Sequence, residues 1–386
     1  MNRRAVLLAT CLLAMLLSGC WNRRELETLG IILAVGYDWD EERQEYVVSA
    51  QMAKPQAKQS DVGGGGQGPG AHVFTARGKT VFDASRNLSL IATRRAWWGH
   101  VQVLVIGEAA AKRGLDGLLD FVERDGETRP IYFVTVTKGW AGDLMHLQAS
   151  LESVPALGLV SLVRAAGATS TSPVIRILDV SQAIEAPSSA ILGVVGVSEG
   201  AGSDLGKPTK EFRLDGSAVF DKANLVGYLD DRETRGAMWV RGRVRGALLA
   251  VPCPGSPGKH IGVEVIHASA KVTPEVDRKG KVQVRAQIRV EANLGDQDCN
   301  FPYVKLDRIE ELDRVVGSRI REEVVAAQKA CAALNADCFG LTDRVMQRFP
   351  AYYEQVKAER RSWPMVLEIE VRVRATGAQL RSIRPK

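Results

Sequence analysis

Lys281-Val282-Gln283-Val284-Arg285-Ala286-Gln287-Ile288-Arg289-Val290-Glu291-Ala292 puts an apolar side chain at every second position. That is the period of a strand with one face in a core and the other in water. Stretches of similar texture precede it at 243–251 and 261–272, and all three read as long antiparallel strands. A change of period follows. Leu306, Ile309, Leu312, Val316, Ile320 and Val324 share one face of a helix expected from about Val304 to Leu334. A second helix carries Leu341, Val345, Phe349, Tyr352 and Val356, and Met365 to Ala375 reads as a closing strand. An antiparallel sheet packed against long helices defines an α+β domain, expected over 210–386.

Working toward the N-terminus, Gly216–Phe220 and Leu225–Leu229 flank a polar turn and read as the hairpin that opens this domain. Before it, Gly200, Gly202 and Gly206 punctuate a small-residue stretch, so 199–209 is expected to be a linker. Residues 20–198 alternate strand and helix patterns. Strands are expected at 30–37, 46–52, 71–77, 101–106, 131–137 and 191–197, with helices after the Thr80 cap, over 109–124, in a broken run at 139–165, and at 179–185. This half reads as one or more mixed α/β domains containing βαβ-like units. Gly63 to Gly66 and Gly68-Pro69-Gly70 make 54–70 an expected flexible loop. The fold class is therefore α+β, with two or three mixed α/β domains.

The composition is that of a folded chain in water: 386 residues, 45% hydrophobic and 25% charged. A net charge of +6 spread along this length lacks the clustered cations that nucleic-acid binding needs, so no nucleic-acid partner is expected. The first residues are different. Arg3 and Arg4 precede the apolar run Ala5 to Leu17, too short to span a bilayer comfortably, and Leu17-Ser18-Gly19-Cys20 resembles a bacterial lipobox. Residues 1–19 are thus expected to be a lipoprotein signal peptide. The implied chemistry places a diacylglyceryl thioether and an N-acyl lipid on Cys20, which anchors the mature chain to a membrane. No other cofactor and no metal is expected.

Outside the cytoplasm, Cys253, Cys299, Cys331 and Cys338 are candidates for disulfides. Four cysteines permit three connectivities, of which Cys253–Cys299 with Cys331–Cys338 is preferred, while four buried thiols remain the alternative. No Cys-x-x-Cys pair suggests zinc.

Catalytic motifs are sparse. Gly78-Lys79-Thr80 imitates the end of a phosphate-binding loop, but the earlier glycine such a loop requires would fall at Val73, inside an expected strand, so Thr80 is better read as a helix cap. There is no Gly-x-Ser-x-Gly or His-Glu-x-x-His, and the five histidines are scattered, so no catalytic residue is assigned and the chain is not expected to be an enzyme. Two segments stand out as candidate partner contacts. Trp97 and Trp98, followed by His100, are adjacent aromatics that cannot enter one core together from a strand. Arg124, Asp125, Glu127 and Arg129 form a charged turn of interleaved sign, suited to a salt-bridged turn or an interface.

These segments also carry a resemblance. Gly19-Cys20-Trp21-Asn22-Arg23-Arg24-Glu25-Leu26 resembles the mature start of the spore germination lipoproteins called the Ger(x)C family. Arg94-Arg95-Ala96-Trp97-Trp98-Gly99-His100 with Val103 to Glu108, the turn Arg124 to Arg129, Gly216 to Phe220, Leu225 to Leu229 and Glu233-Thr234-Arg235-Gly236 are similar to later blocks in the family's order. The Gly-rich insert and the Trp97-Trp98 pair depart from that pattern. The resemblance implies the non-catalytic C subunit of a nutrient germinant receptor. Such a subunit is held on the outer face of the spore's inner membrane by its lipid anchor, with the receptor's A and B subunits as partners. A substrate-capturing lipoprotein of a transporter is the alternative.

Overall fold

The computed structural model describes residues 3–4, 26–54, 70–147, 151–204, 207–276, 282–299, 306–357 and 366–376. Cys20 with its lipobox, and 55–69 of the expected flexible loop, lie outside the described residues.

Nine strands make the first sheet: β1 (Leu29–Asp40), β2 (Glu45–Ala53), β3 (Ala71–Gly78), β4 (Arg95–Trp97), β5 (Val103–Gly107), β6 (Phe133–Thr137), β7 (Ala190–Asp204), β8 (Lys207–Asp221) and β9 (Asn224–Leu229). Their order is β3-β2-β1-β5-β6-β7-β8-β9, with β4 beside the start of β1. β1, β5, β6 and β7 run parallel, and antiparallel hairpins extend the sheet at both edges. Every residue of β5 and β6 is buried, because helices cover both faces of the parallel centre.

One face carries α1 (Val81–Asn87), α2 (Glu108–Arg113), α3 (Asp116–Arg124) and, past two further helices, α6 (Ile177–Glu185). Those two, α4 (Ala141–Met145) and α5 (Pro155–Ala165), pack on the other face. Thr80 does cap α1, its Oγ1 accepting from the Asp83 N–H at 3.1 Å. The single helix expected over 109–124 is two, since Gly114 takes a φ of 120° that a continuing helix does not allow.

The second sheet consists of β10 (Ala247–Pro252), β11 (His260–Val276), β12 (Val282–Gln297) and β13 (Val366–Thr376) in that order. Along β12 the buried and exposed positions alternate from Val282 onward, as its sequence requires. The helices are α7 (Asp231–Arg241), α8 (Leu306–Ala333), α9 (Leu341–Arg348) and α10 (Pro350–Val356). Leu312, Val316, Ile320 and Val324 of α8 are buried against the inward side chains of this sheet and Trp239 of α7. At about 1.5–3 kcal/mol for each fully buried aliphatic side chain, that stripe is what holds α8 on the sheet.

Further features differ from the sequence expectation. Residues 199–204 and 207–209 are not a linker; they are the outer part of the β7–β8 hairpin, with Ser198 opposite Glu211 and Gly202 opposite Thr209. Glycines that look like spacers are accommodated here by a register shift between Glu199 and Gly202. The hairpin 216–229 consequently completes the first sheet instead of opening the second. β13 pairs parallel to β12, because the chain returns through α8, α9 and α10 before it re-enters the sheet. The helix expected through Val356 is broken at Pro350, whose missing N–H suits the first position of α10.

Two polar seams join the sheets. Ser217 in β8 and Thr234 in α7 share a buried hydrogen bond of 2.8 Å. Before β7, the Ser189 N–H donates to the Asp337 carbonyl at 3.1 Å and its Oγ accepts from the Asp337 N–H at 3.0 Å, while Ser188 donates to the Asp343 carboxylate.

Candidate contact surface

β4 pairs with the first residues of β1, Leu29 with Arg95 and Ile31 with Trp97, so the Trp97–His100 segment lies beside the start of β1. The chain leaves β4 at Trp97 and turns through Trp98–His100 as one turn of 3-10 helix, which separates the two indoles by burial. Trp98 is buried in the core of the first sheet, whereas Trp97 is half-buried. The Trp97 Nε1–H donates to His100 Nδ1 at 3.1 Å. Gly99 lets the indole lie flat over the turn, since a Cβ there would sit 3.0 Å from the Trp97 Nε1.

The charged turn meets this segment. Arg95 donates to the Glu127 carboxylate at 2.7 Å, and beneath the surface Trp98, Thr128 and Tyr132 line one small cavity of about 30 Å³. Two segments separated by a strand and two helices in sequence therefore form one surface. Within it Arg124 pairs with Asp120 at 2.7 Å, Asp125 accepts from the Glu127 N–H, and Arg129 is exposed. Leu90 and Ile91, at the end of the turn after α1, are exposed, Leu90 by 81%. Exposed ion pairs of this kind contribute about 0–1 kcal/mol each, so the charged turn adds little to stability.

Sequence reasoning did not single out the polar centre that positions the second sheet. Glu323 of α8 is fully buried, and it receives the Arg235 Nε at 2.9 Å, the Arg235 Nη2 at 2.5 Å and the Trp239 Nε1 at 3.0 Å. A signal did exist. Glu323 follows Val316 by seven residues and precedes Ala327 by four, so it interrupts the buried stripe of its own helix. The Glu233-Thr234-Arg235-Gly236 block now has a physical reading. Glu233 and Asp230 cap α7 reciprocally, Thr234 bonds Ser217, Arg235 pairs with Glu323, and Gly236 allows α7 to touch the backbone of α8.

Cys253 and Cys299 are paired as a disulfide with Cα atoms 6.5 Å apart, and Cys331 and Cys338 likewise at 6.0 Å. Among the described residues no group of three or more His, Cys, Asp or Glu could hold a metal ion, and no helix is long and apolar enough to cross a membrane. Buried at the end of β1, Asp38 accepts the N–H groups of Ala141 and Gly142 at 2.8 and 2.9 Å, and burial pushes its carboxyl up to about 6.

Two mixed sheets bridged by α7 define a fold already seen in a crystal structure. The structure matches the crystal structure of the GerBC protein with a TM-score of 0.57 over 88% of this chain and 96% of that one, at 17% sequence identity. The chain belongs to the Ger(x)C family. Residues 22–197 match the family described as spore germination protein N-terminal domain, and residues 215–377 match spore germination B3/GerAC like, C-terminal. Among curated proteins, it is 26% identical to spore germination protein KC of Bacillus subtilis (strain 168), covering 98% of this chain and 97% of that protein. It is 24% identical to the putative spore germination protein YfkR of the same organism, covering 87% and 86%.

Proposed function

We propose that this protein is the C subunit of a nutrient germinant receptor and acts by binding, without catalysing a reaction. The match to spore germination protein KC over nearly the whole of both chains carries the reading. In this reading a diacylglyceryl and N-acyl lipid on Cys20 hold it to the outer face of the spore's inner membrane, beside the receptor's A and B subunits. Leu29, where β1 begins, lies only nine positions after Cys20, and nine residues span at most about 30 Å, so the start of β1 would stay close to the bilayer. The surface formed by Trp97, His100, Arg124, Asp125, Glu127 and Arg129 begins beside that strand, whereas Trp98, expected as a contact, packs inside the core instead. It would meet the other subunits near the membrane.

The test is genetic and biochemical. The gene is deleted, the strain is complemented with wild type or Cys20→Ala, and dipicolinate release from purified spores is followed after nutrient addition. Loss of the nutrient response on deletion, with poor rescue and loss of membrane attachment for Cys20→Ala, is the expected result. An unchanged response, with no paralogous receptor compensating, overturns the reading and favours a substrate-capturing lipoprotein of a transporter.

A further inference from the structure

Between the two sheets lies a cleft of about 930 Å³. Arg164 at the end of α5 and Arg176 before α6 line one side, and Arg243 and Arg245, between α7 and β10, line the other. The guanidinium carbons of Arg164 and Arg176 stand 5.7 and 5.8 Å from the centre of the same Phe133 ring. Some arginines elsewhere meet carboxylates, as Arg77 does Asp40, Arg95 does Glu127 and Arg285 does Glu368, while Arg113 and Arg241 bond a hydroxyl and carbonyls instead. None of the four cleft arginines makes an ion pair among the described residues. The one carboxylate in the lining, Asp179, faces the Arg176 backbone N–H at 3.4 Å. All four are exposed, so solvent screens their mutual repulsion, and an anion held between them would still be favoured.

The base of the cleft is built, not incidental. Ser170 is almost fully buried and takes a left-handed φ of 52°. Its Oγ donates to the Gly246 carbonyl at 2.8 Å and accepts the Arg245 N–H at 3.2 Å, so the segment bearing Arg243 and Arg245 is fastened to the turn after α5. Gly246 permits the approach, since a Cβ there would lie 3.0 Å from the Ala168 carbonyl oxygen. Ser172, also in the lining and 2% exposed, has a hydroxyl without a hydrogen-bond partner.

We propose that this cleft binds a phosphate-bearing ligand. Guanidinium groups present paired donors that match phosphate oxygens, and a phosphate with about two negative charges suits four arginines against one carboxylate better than a single carboxylate would. Ile131, Leu178 and Val244 supply apolar wall for the rest of the molecule. The phosphate belongs either to a phospholipid headgroup or to a soluble compound. The proposal stands on the cleft alone and does not depend on the receptor reading.

The full chain is placed in nanodiscs of neutral phosphatidylcholine and titrated calorimetrically with inorganic phosphate, ionic strength being held constant with sodium chloride. Saturable binding is expected, at least tenfold weaker in Arg176→Gln/Arg243→Gln and unchanged in Arg285→Gln, whose arginine lies outside the cleft. All three positions are exposed, and circular dichroism verifies that the variants fold. Discs containing phosphatidylglycerol then separate the sources: lost phosphate binding assigns the cleft to a lipid headgroup, and retained binding assigns it to a soluble phosphate. Absence of saturable binding, or equal weakening in Arg285→Gln, overturns the proposal. So does saturable binding of an acidic peptide in place of phosphate, which would make the cleft a protein-docking site.

Discussion

Replacing Glu323 by Gln removes one charge from the junction of α7 and α8 and leaves Arg235, itself 9% exposed, without a counterion. The amide keeps a single acceptor oxygen where the carboxylate receives three hydrogen bonds, two from Arg235 and one from Trp239. Breaking a buried pair by removing one partner costs about 3–5 kcal/mol. A melting unit of 150–250 residues loses about 2–4 °C per kcal/mol, so the transition that includes the second sheet should fall by roughly 10 °C. The assay is thermal and urea unfolding followed by tryptophan fluorescence, because Trp239 packs in the affected core. Replacing both partners with apolar groups, as Arg235→Met/Glu323→Leu, should recover more than half of the loss, the remainder being the unsatisfied indole N–H of Trp239 and the lost Arg319–Glu323 ion pair at 3.5 Å. A Glu323→Gln variant within about 1 kcal/mol of wild type would refute the reasoning, since an isolated buried guanidinium cannot be that cheap.

Gly236→Ala should destabilise the same junction by about 1–3 kcal/mol in urea unfolding, because the added Cβ would overlap the Glu323 carbonyl oxygen. Replacing Cys253 and Cys299 by Ser should cost about 4 kcal/mol, and replacing Cys331 and Cys338 about 2 kcal/mol, since the loops they close span 46 and 7 residues. Unfolding with and without reductant checks both values. Asp38 predicts a pH dependence of definite sign. Its folded carboxyl titrates near 6, above the ordinary unfolded value, so the folded state holds the extra proton and stability falls as pH rises from about 4 to about 6. The fall amounts to at most about 3 kcal/mol, and Asp38→Asn should flatten it in urea unfolding measured across that range.

Much of the second sheet could be read locally. The alternation of β12 and the stripe of α8 are short-range periodicities, and each element formed within a few residues of the expected ends because burial of one face decides both. The β7–β8 hairpin was not legible in the same way. Its outer residues are small and polar, and only pairing with each other makes them strand. Of the candidate contact residues, the types and positions of Trp97, His100 and the Arg124–Arg129 turn are evident in the chain, but not that Arg95 and Glu127 would join them into one surface. The parallel direction of β13 depends on three intervening helices and leaves no mark on its own residues.

By itself the sequence determined the α+β class, the cysteine pairs to consider and the family, because these rest on local order and on residue types at fixed spacing. The tertiary structure decided which sheet owns residues 199–229, that Glu323 is the partner of Arg235, and that Arg164, Arg176, Arg243 and Arg245 share a cleft. Those facts join residues far apart in the chain. Such contacts arise only when packed layers bring distant segments within bonding distance, and no local pattern records the encounter.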